Sequence, residues 1–480
     1  MKSIFLTLFF LILVLNTLAQ GPGGERQQFI RVDAKVVALV HVRIVDGTGA
    51  AAMDDQTILI NDGKIQSIGA SSTVSIPAGA QTLDMTGYTV LPGLVGMHDH
   101  MFFPQGGTPP IYSDMGISFP RLYLALGVTT IRTTGSVAPF TDLEVKRLVD
   151  SGRMIGPKIH VTAPYLEGKG AYTPVMHELT GPDDARRMVN FWADEGATSF
   201  KAYMNITRDE LRAAVEEAHK RGFKVTGHLC SIGYKEAAEI GIDDLEHGLF
   251  PDSEFVPDKK PDQCPAGGAV NASLSKLDIN GPAVQETIKT LVAKKVALTS
   301  TLPVFEANAP LAQNGIGAAR ALLNPRMLNV MSVDARVRYL TSRSRVRADS
   351  DYANLVRKSM DFERAFAKAG GLLIAGLDPT GNGGVVAGFG DLREVELLVE
   401  AGFTPVEAIK IATYNGAQFL GEESRIGSIA TGKQADLMVV KGNPASNIND
   451  IENVEIVFKD GVGYDTEKLI QSVQGLVGIR

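Results

Sequence analysis

The sequence predicts an α/β protein in which a (β/α)8 barrel, or TIM barrel, carries a small composite β-sandwich domain. Two observations predict this fold class. The middle of the chain alternates strand patterns with helical patterns, which favours a parallel sheet. Short strands separated by turn signals occur at both ends, so we expect the two ends to join into one β-domain. The expected boundaries are residues 30–90 with 425–466 for this domain and residues 91–424 for the barrel.

Length and composition are typical of a large globular protein. The 480 residues suit a barrel with an additional small domain. Apolar residues make up 44% and charged residues 21% of the chain, which is ordinary for a folded protein. The net charge of −7 gives no reason to expect a nucleic-acid partner, which usually binds a basic surface. We expect a small molecule as the partner, and a homo-oligomer remains open.

The first residues have the pattern of a secretory signal peptide. Lys2 supplies a positive charge, Ile4–Val14 is an apolar run, and small residues precede the expected cleavage after Ala19. Residues 1–19 are therefore predicted to be removed, and the mature protein to be secreted or periplasmic. The alternative is a membrane anchor, for which the run is short. No stable membrane insertion is expected after cleavage.

The two cysteines, Cys230 and Cys264, leave two alternatives open. An exported protein can join such a pair in a disulfide, but a chain of this size does not need one to stabilise its core. A bridge and two free thiols are both compatible with the sequence.

Turn signals between short apolar strands define the β-domain. Near the start of the chain, Thr57–Ile60 and Lys64–Ile68 flank Asn61-Asp62-Gly63, a typical hairpin sequence. A related pattern returns near the end, where the expected strands are Ala435–Val440, Val454–Lys459 and Val462–Tyr464.

Strands and helices then alternate through the middle of the chain. One helix is indicated by Ala185, Met188, Val189 and Trp192 at helical spacing, and the next opens with a capping box at Thr207–Glu210. Residues 302–370 are mostly helical and longer than one crossover needs, so they are expected to form a lid or a wall. The eight candidate barrel strands, in chain order, are Leu94–His98, Thr129–Thr133, Lys158–Thr162, Thr198–Ala202, Lys224–His228, Asp243–His247, Val296–Ser300 and Leu372–Asp378.

Two basic residue types mark the ends of these strands. His98 and His100 are two residues apart, so both imidazoles can point into the barrel, although such a pair alone is weak evidence. Lys201 lies between Phe200 and Ala202 and is expected to face the interior. A buried lysine is costly unless it is neutralised or paired. It is therefore either salt-bridged to an inward carboxylate or modified by CO2 to a carbamate that bridges two cations.

Three further residues end predicted strands on the same side of the barrel. His228 and His247 end the fifth and sixth strands, and Asp378 ends the eighth. Taken singly, each is compatible with a core position. Active sites of (β/α)8 barrels lie at the C-terminal ends of the strands. The joint placement of four histidines, a lysine and an aspartate there predicts a metal site.

These residues and their flanking motifs resemble the amidohydrolase superfamily, in its binuclear lysine-carbamate branch. The resemblance covers about residues 36–464. Its motifs are Leu91-Pro92-Gly93-Leu94-Val95-Gly96-Met97-His98-Asp99-His100, Lys201, Gly227-His228, Glu246-His247-Gly248, Gly376-Leu377-Asp378 and the run Gly427–Leu437.

The resemblance implies two divalent metal ions, with zinc favoured by the imidazole and carboxylate ligands. It implies that an N6-carboxylated Lys201 bridges the two ions and that a hydroxide between them attacks an amide carbonyl. Asp378 would act as the general acid and base. The first ion would be held by His98, His100 and Asp378, and the second by His228 and His247.

The nearest branch contains imidazolonepropionase-like and prolidase-like proteins, which implies hydrolysis of a linear amide. The expected substrate is a dipeptide or an N-acyl amino acid, including ochratoxin-type amides. A hydantoinase-like hydrolase of cyclic amides is the alternative enzyme, because Ser199–Met204 is similar to the lysine strand of that group. A deaminase, a phosphotriester hydrolase and a catalytically silent metal-binding barrel are further alternatives.

A substrate carboxylate would need a cation or a phenol near the metals. Tyr203 follows Lys201 by two residues and should share its face, Arg132 ends the second strand, and His177 lies in the third loop. These three are the candidate substrate contacts. The alternatives are packing for Tyr203, a structural ion pair for Arg132 and a surface position for His177.

Overall fold

The computed structural model describes residues 24–106, 109–380 and 384–479. The predicted signal peptide, residues 1–19, lies outside the described residues. Within the described part of the chain, no helix combines the length and the apolar composition that a membrane span requires.

The strands follow the predicted order along the chain. They are β1 (Ile30–Val32), β2 (Val36–Ile44), β3 (Met53–Asn61), β4 (Lys64–Ala70), β5 (Gln81–Asp84), β6 (Tyr88–Pro92), β7 (Leu94–Asp99), β8 (Phe102–Gln105), β9 (Ile111–Asp114), β10 (Val128–Thr133), β11 (Lys158–Val161), β12 (Ser199–Ala202), β13 (Lys224–Gly227), β14 (Asp244–Glu246), β15 (Ala297–Ser300), β16 (Leu373–Ala375), β17 (Leu437–Lys441), β18 (Val454–Lys459) and β19 (Val462–Asp465).

Helices separate the strands of the middle region. They are α1 (Gly24–Gln27), α2 (Ser118–Ala125), α3 (Pro139–Asp150), α4 (Pro182–Glu195), α5 (Arg208–Lys220), α6 (Tyr234–Ile240), α7 (Gly267–Leu274), α8 (Pro282–Lys294), α9 (Leu302–Glu306), α10 (Ala319–Leu322), α11 (Pro325–Val330), α12 (Val333–Ser344), α13 (Tyr352–Lys368), α14 (Phe389–Glu400), α15 (Pro405–Lys410), α16 (Gly416–Leu420) and α17 (Thr466–Gln471). A π-helical turn (Ile411–Asn415) and a 3-10 helix (Ile448–Glu452) complete the secondary structure.

Strands from both chain ends form one mixed, nine-stranded sheet. Its order is β1-β19-β18-β17-β6-β2-β3-β4, with β5 paired to β2. The two ends join where β17 pairs antiparallel with β6, with Val439 opposite Val90. All nine strands belong to a single hydrogen-bonded sheet, so the sandwich form of the predicted domain is not confirmed. The domain boundaries stay predictions.

The predicted hairpin at Asn61-Asp62-Gly63 connects β3 and β4. Asn61 pairs with Lys64, so the strands are joined by a two-residue turn. Asp62 and Gly63 have φ angles of 52° and 76°, in the left-handed region that such turns require. The local sequence therefore specifies the strand register here.

The eight predicted barrel strands are present as two parallel sheets. Their orders are β11-β10-β7 and β12-β13-β14-β15-β16. At one seam, Thr198 N donates to Val161 O at 2.7 Å and a parallel bridge joins Thr162 to Ser199. At the other seam, Asp378 N donates to His98 O at 2.9 Å. The arrangement is a TIM-barrel-like α/β fold.

A single closed ladder of eight strands is not formed by the described residues, in contrast to the prediction. The reason is local, because β11 and β16 end at Val161 and Ala375 and only isolated hydrogen bonds continue across each seam. The close approach at the second seam depends on Gly376. A Cβ atom there would lie 2.3 Å from the backbone nitrogen of His98.

The outer helices pack on the strands through the apolar stripes that their spacing predicts. In α4, Ala185, Met188, Val189 and Trp192 are all buried. Helix α5 begins with the predicted capping box, in which the Thr207 side chain accepts from Glu210 N and Glu210 bonds back. Residues 302–370 contribute α9 to α13, of which α9 and α12 border the cavity at the C-terminal ends of the strands.

A disulfide joins Cys230 to Cys264, which decides between the two alternatives left open by the sequence. Cys230 lies two residues after His228, and Cys264 lies in the long segment that precedes α7. The bridge spans 34 positions of the chain and anchors this segment beside the strand ends.

Replacing both cysteines by serine should lower the free energy of unfolding by about 2–4 kcal/mol, because the unfolded chain then gains the freedom of the opened loop. Urea denaturation measures this difference. Dithiothreitol should lower the wild-type midpoint towards that of the double variant and leave the variant unchanged. Equal midpoints for wild type and variant without reductant would contradict a stabilising bridge.

Candidate active site

The six residues predicted as a metal centre meet at the C-terminal ends of the strands. Five of them are buried and His228 is half-buried, and all six line one cavity of about 770 Å³. They are His98 in β7, His100 after it, Lys201 in β12, His228 after β13, His247 after β14 and Asp378 after β16.

Asp378 stands at the centre of this group. Its Oδ1 lies 3.5 Å from His100 Nε2, and its Oδ2 lies 3.8 Å from His98 Nε2. Ligand atoms of these three residues all lie within 4.8 Å of one another. Asp378 Oδ1 is buried and has no hydrogen-bond partner among the described residues. Such an orphaned carboxylate oxygen beside two imidazoles fits a cation.

The remaining ligand candidates adjoin this group. Lys201 Nζ lies 3.2 Å from His98 Nε2, and the ring centroids of His228 and His247 are 4.5 Å apart. His247 Nδ1 lies 3.8 Å from Asp378 Oδ2. Three of the histidines therefore face the carboxylate of Asp378.

Neighbouring groups orient two of the imidazoles towards the centre. His98 Nδ1 lies 2.7 Å from Glu246 Oε2, and His100 Nδ1 lies 3.2 Å from Gly135 O. In both residues the Nε2 atom is thereby left facing the cavity. Metal-binding histidines are commonly held in this way by an acceptor on the other ring nitrogen.

Burial keeps the histidines in the form that binds metals. It lowers the pKa of His98, His100 and His247 well below the usual value, and that of His228 to about 3. The nearby Lys201 ammonium acts in the same direction. Neutral imidazoles are competent ligands at neutral pH.

The lysine and the carboxylate are shifted towards neutrality. Burial lowers the pKa of Lys201 to about 8, although Glu246 and Asp378 oppose the shift. Burial raises the pKa of Asp378 to about 6, although Lys201 opposes that shift. Both groups can therefore exchange protons near neutral pH.

Two residues of the site have a backbone conformation that is unusual for side chains other than glycine. His247 has a φ angle of 71° and Asp378 one of 51°. Such conformations cost roughly 1–3 kcal/mol each and concentrate at functional sites. The backbone conformation that places these two side chains therefore lowers the stability of the folded state.

Comparison with known proteins assigns the family. The sequence model of the amidohydrolase family matches residues 89–462. The chain belongs to the amidohydrolase family. Members of this family act on carbon–nitrogen bonds and are generally metal-dependent.

Solved structures share the fold of this amidohydrolase. A putative prolidase from Bifidobacterium longum superposes with a TM-score of 0.64 at 25% identity, over 92% of this chain and 99% of that chain. Ochratoxinase from A. niger gives a TM-score of 0.61 at 18% identity, over 90% of this chain and 96% of that chain.

Curated relatives match a shorter part of the sequence. An uncharacterized protein of Mycobacterium bovis is 29% identical over 47% of this chain. The match spans 59% of the length of that relative.

Arg132 is not a substrate contact of this amidohydrolase, in contrast to the prediction. Its side chain is 1% exposed and lies beneath the site, not in the cavity lining. Its guanidinium donates to Glu246 Oε1 at 3.0 Å, to Asp244 Oδ2 at 3.3 Å and to Met97 O. The arginine side chain is long, so when it points into the barrel its guanidinium reaches the carboxylates on β14 and does not enter the cavity.

Arg132 also controls the charge of the acceptor that holds His98. Burial opposes ionisation of Glu246, but Arg132 and Lys201 outweigh it and hold the pKa of that carboxyl below its usual range. Burial and the neighbouring Glu246 raise the pKa of Asp244 to about 8. Arg132 therefore forms its ion pair mainly with Glu246, which is the more readily ionised of the two carboxyls.

The other two candidate substrate contacts have different outcomes. His177 is exposed and pairs with Asp184 at 2.8 Å at the start of α4, outside the cavity, so its prediction is wrong. Tyr203 does line the cavity, where its ring packs 4.8 Å from Tyr165 and 4.9 Å from His228.

Sequence reasoning missed several residues of the cavity. Tyr112 comes from β9, Tyr165 and Tyr172 come from the loop after β11, and Phe305 comes from α9. Arg338 and Arg345 come from α12 and the residue after it. No motif marks these positions, because loops and an inserted helical segment bring them to the cavity.

Replacing Arg132 by methionine should lower the free energy of unfolding by about 3–5 kcal/mol, because Asp244 and Glu246 then lack their buried cation. Urea denaturation provides the measurement. Arg147→Met is the matched control, since Arg147 forms an exposed pair with Glu144 and should contribute below about 1 kcal/mol. Equal losses for the two variants would contradict a buried structural role for Arg132.

Proposed function

We propose that this protein is an exported, binuclear metal-dependent amidohydrolase that cleaves a linear amide, a dipeptide or an N-acyl amino acid. The observation that carries the proposal is the convergence of four histidines, Lys201 and Asp378 on one cavity. Export is supported by the charge and the apolar run of the first residues.

The donor set supports two divalent ions, with zinc favoured. His98, His100 and Asp378 would hold the first ion, and His228 and His247 the second. The fit rests on neutral imidazoles and on the unpartnered Oδ1 of Asp378. When bound, such ions lower the pKa of a water molecule and polarise an amide carbonyl.

Lys201 is suited to become the bridging ligand by carboxylation of its Nζ atom. Its pKa of about 8 leaves a fraction of neutral amine at neutral pH. The amine lone pair forms an N–C bond with CO2 and one proton leaves to solvent, which yields an N6-carboxylated lysine. The neutral amine thereby becomes an anion beside the imidazole of His98.

Asp378 is the group that moves the proton during hydrolysis. A carboxyl with a pKa of about 6 can accept a proton from the attacking water and then donate it to the leaving nitrogen. Its position between the imidazoles of His98 and His100 supports this role.

A linear amide is favoured over the alternatives. The solved structure with 25% identity is a putative prolidase, and the sequence resembles the branch of prolidase-like dipeptidases. The motif Glu246-His247-Gly248 supports the same branch. A hydantoinase-like hydrolase of cyclic amides is the second candidate, and a catalytically silent metal-binding barrel is the alternative outside enzymes.

The deciding experiment is an activity screen of the zinc-loaded protein on dipeptides, N-acyl amino acids and cyclic amides. We expect release of a free amino acid from a linear substrate, detected by chromatography. Ring opening alone would favour the hydantoinase-like candidate. Absence of turnover with zinc, manganese and cobalt would contradict an enzymatic role.

Metal content tests the bridged site directly. Plasma mass spectrometry of the purified protein should find close to two ions per chain, and Lys201→Ala should lose the second ion with most of the activity. Lys220→Ala is the matched control, because Lys220 is an exposed lysine paired with Glu217. Full activity of Lys201→Ala would show that this lysine is structural.

Asp378→Asn should reduce kcat by about 100-fold or more, because an amide cannot shuttle the proton. The same mass spectrometry should show that metal is largely retained. A variant that keeps both its metal and its wild-type kcat would contradict the proposed acid–base role.

A further inference from the structure

One wall of the cavity is formed by a single face of α12 and the residue that follows it. Arg338 and Arg345 are seven residues apart, which is two turns of helix, so both can project from that face. The wall residues are Ala335, Val337, Arg338, Thr341, Ser342 and Arg345.

The charges that line the cavity are unequal. Cationic side chains come from Arg338, Arg345 and Lys201, whereas Asp378 is the single carboxylate among the described lining residues. The histidines of the site surround the carboxylate of Asp378. The two arginines of the wall therefore face a cavity that offers them no carboxylate partner from the protein.

Other arginines of this segment are already used by the fold. Arg343 donates to the backbone oxygens of Ala307 and Ala309, and Arg347 pairs with Asp349 at 2.6 Å. Arg338 uses its Nε atom for Asp334. The Arg345 guanidinium makes no hydrogen bond or ion pair with any described residue, although it lines the cavity.

We propose that Arg345, assisted by the terminal nitrogens of Arg338, binds a free carboxylate of the substrate. A guanidinium suits this task because its planar N–H donors match both carboxylate oxygens. Tyr112, Tyr172 and Phe305 line the same cavity and offer apolar surface to an adjacent side chain. The substrate class is therefore an amide with a free carboxylate and an aromatic or large apolar side chain. This inference rests on the proposed function.

The test compares two ligands that differ in the carboxylate alone. N-acetyl-L-phenylalanine carries it, and N-acetyl-L-phenylalaninol has a neutral hydroxymethyl group instead. Acetate release by the zinc-loaded protein gives kcat and KM for both. Calorimetry with zinc-loaded Asp378→Asn gives the Kd of both without turnover.

We expect wild type to prefer the carboxylate ligand by about tenfold or more in kcat/KM and in Kd. Arg345→Gln should remove most of this preference through KM, with kcat changed less than about twofold. Arg345→Lys should retain part of it, and Arg338→Gln should show a smaller loss. Arg347→Gln, an exposed neighbour outside the cavity, is the matched control and should behave as wild type.

Equal effects of Arg345→Gln on both ligands, or no effect on either, would overturn the inference. Failure of the proposed function looks different. No acetate would be released from either ligand, while calorimetry would still show a carboxylate preference that depends on Arg345. Hydrolysis without such a dependence would leave the proposed function standing and reject the carboxylate wall.

Discussion

The buried contact between Arg132, Glu246 and His98 is the interaction on which the site depends. A carboxylate inside a protein is costly unless a cation and hydrogen bonds compensate it. Arg132 supplies the cation, so Glu246 stays ionised and holds His98 Nδ1 at 2.7 Å. The other ring nitrogen of His98 then faces the cavity. A charge balance inside the barrel thus orients a ligand at its mouth.

The seam between β7 and β16 brings the second half of the site into place. Gly376 lets the eighth barrel strand approach the first, and Asp378 N then bonds to His98 O. The carboxylate of Asp378 reaches His98 and His100 because of this contact, although 278 positions separate it from His100. Its left-handed backbone conformation is the local cost of that placement.

Elements with strong local signals could be predicted from the sequence. The eight strands, the hairpin at Asn61-Asp62-Gly63 and the capping box at Thr207 each depend on periodicity or turn chemistry within a few residues. The convergence of the six candidate ligands followed from one rule, that parallel strands present their C-terminal ends on one side. The single mixed sheet and the open seams depend on long-range pairing, which local patterns do not encode.

The sequence by itself determined the order of strands and helices and which polar residues end the barrel strands. It also identified Tyr203 as a residue facing the cavity. Only the tertiary structure decided that Arg132 points beneath the site and that His177 pairs with Asp184 at the surface. It likewise decided that Cys230 meets Cys264 and that Arg345 borders the cavity. The physical reason is that the position of a residue in a strand fixes the direction of its side chain. The final position of a long side chain, or of one on a loop, depends instead on partners that are distant in sequence.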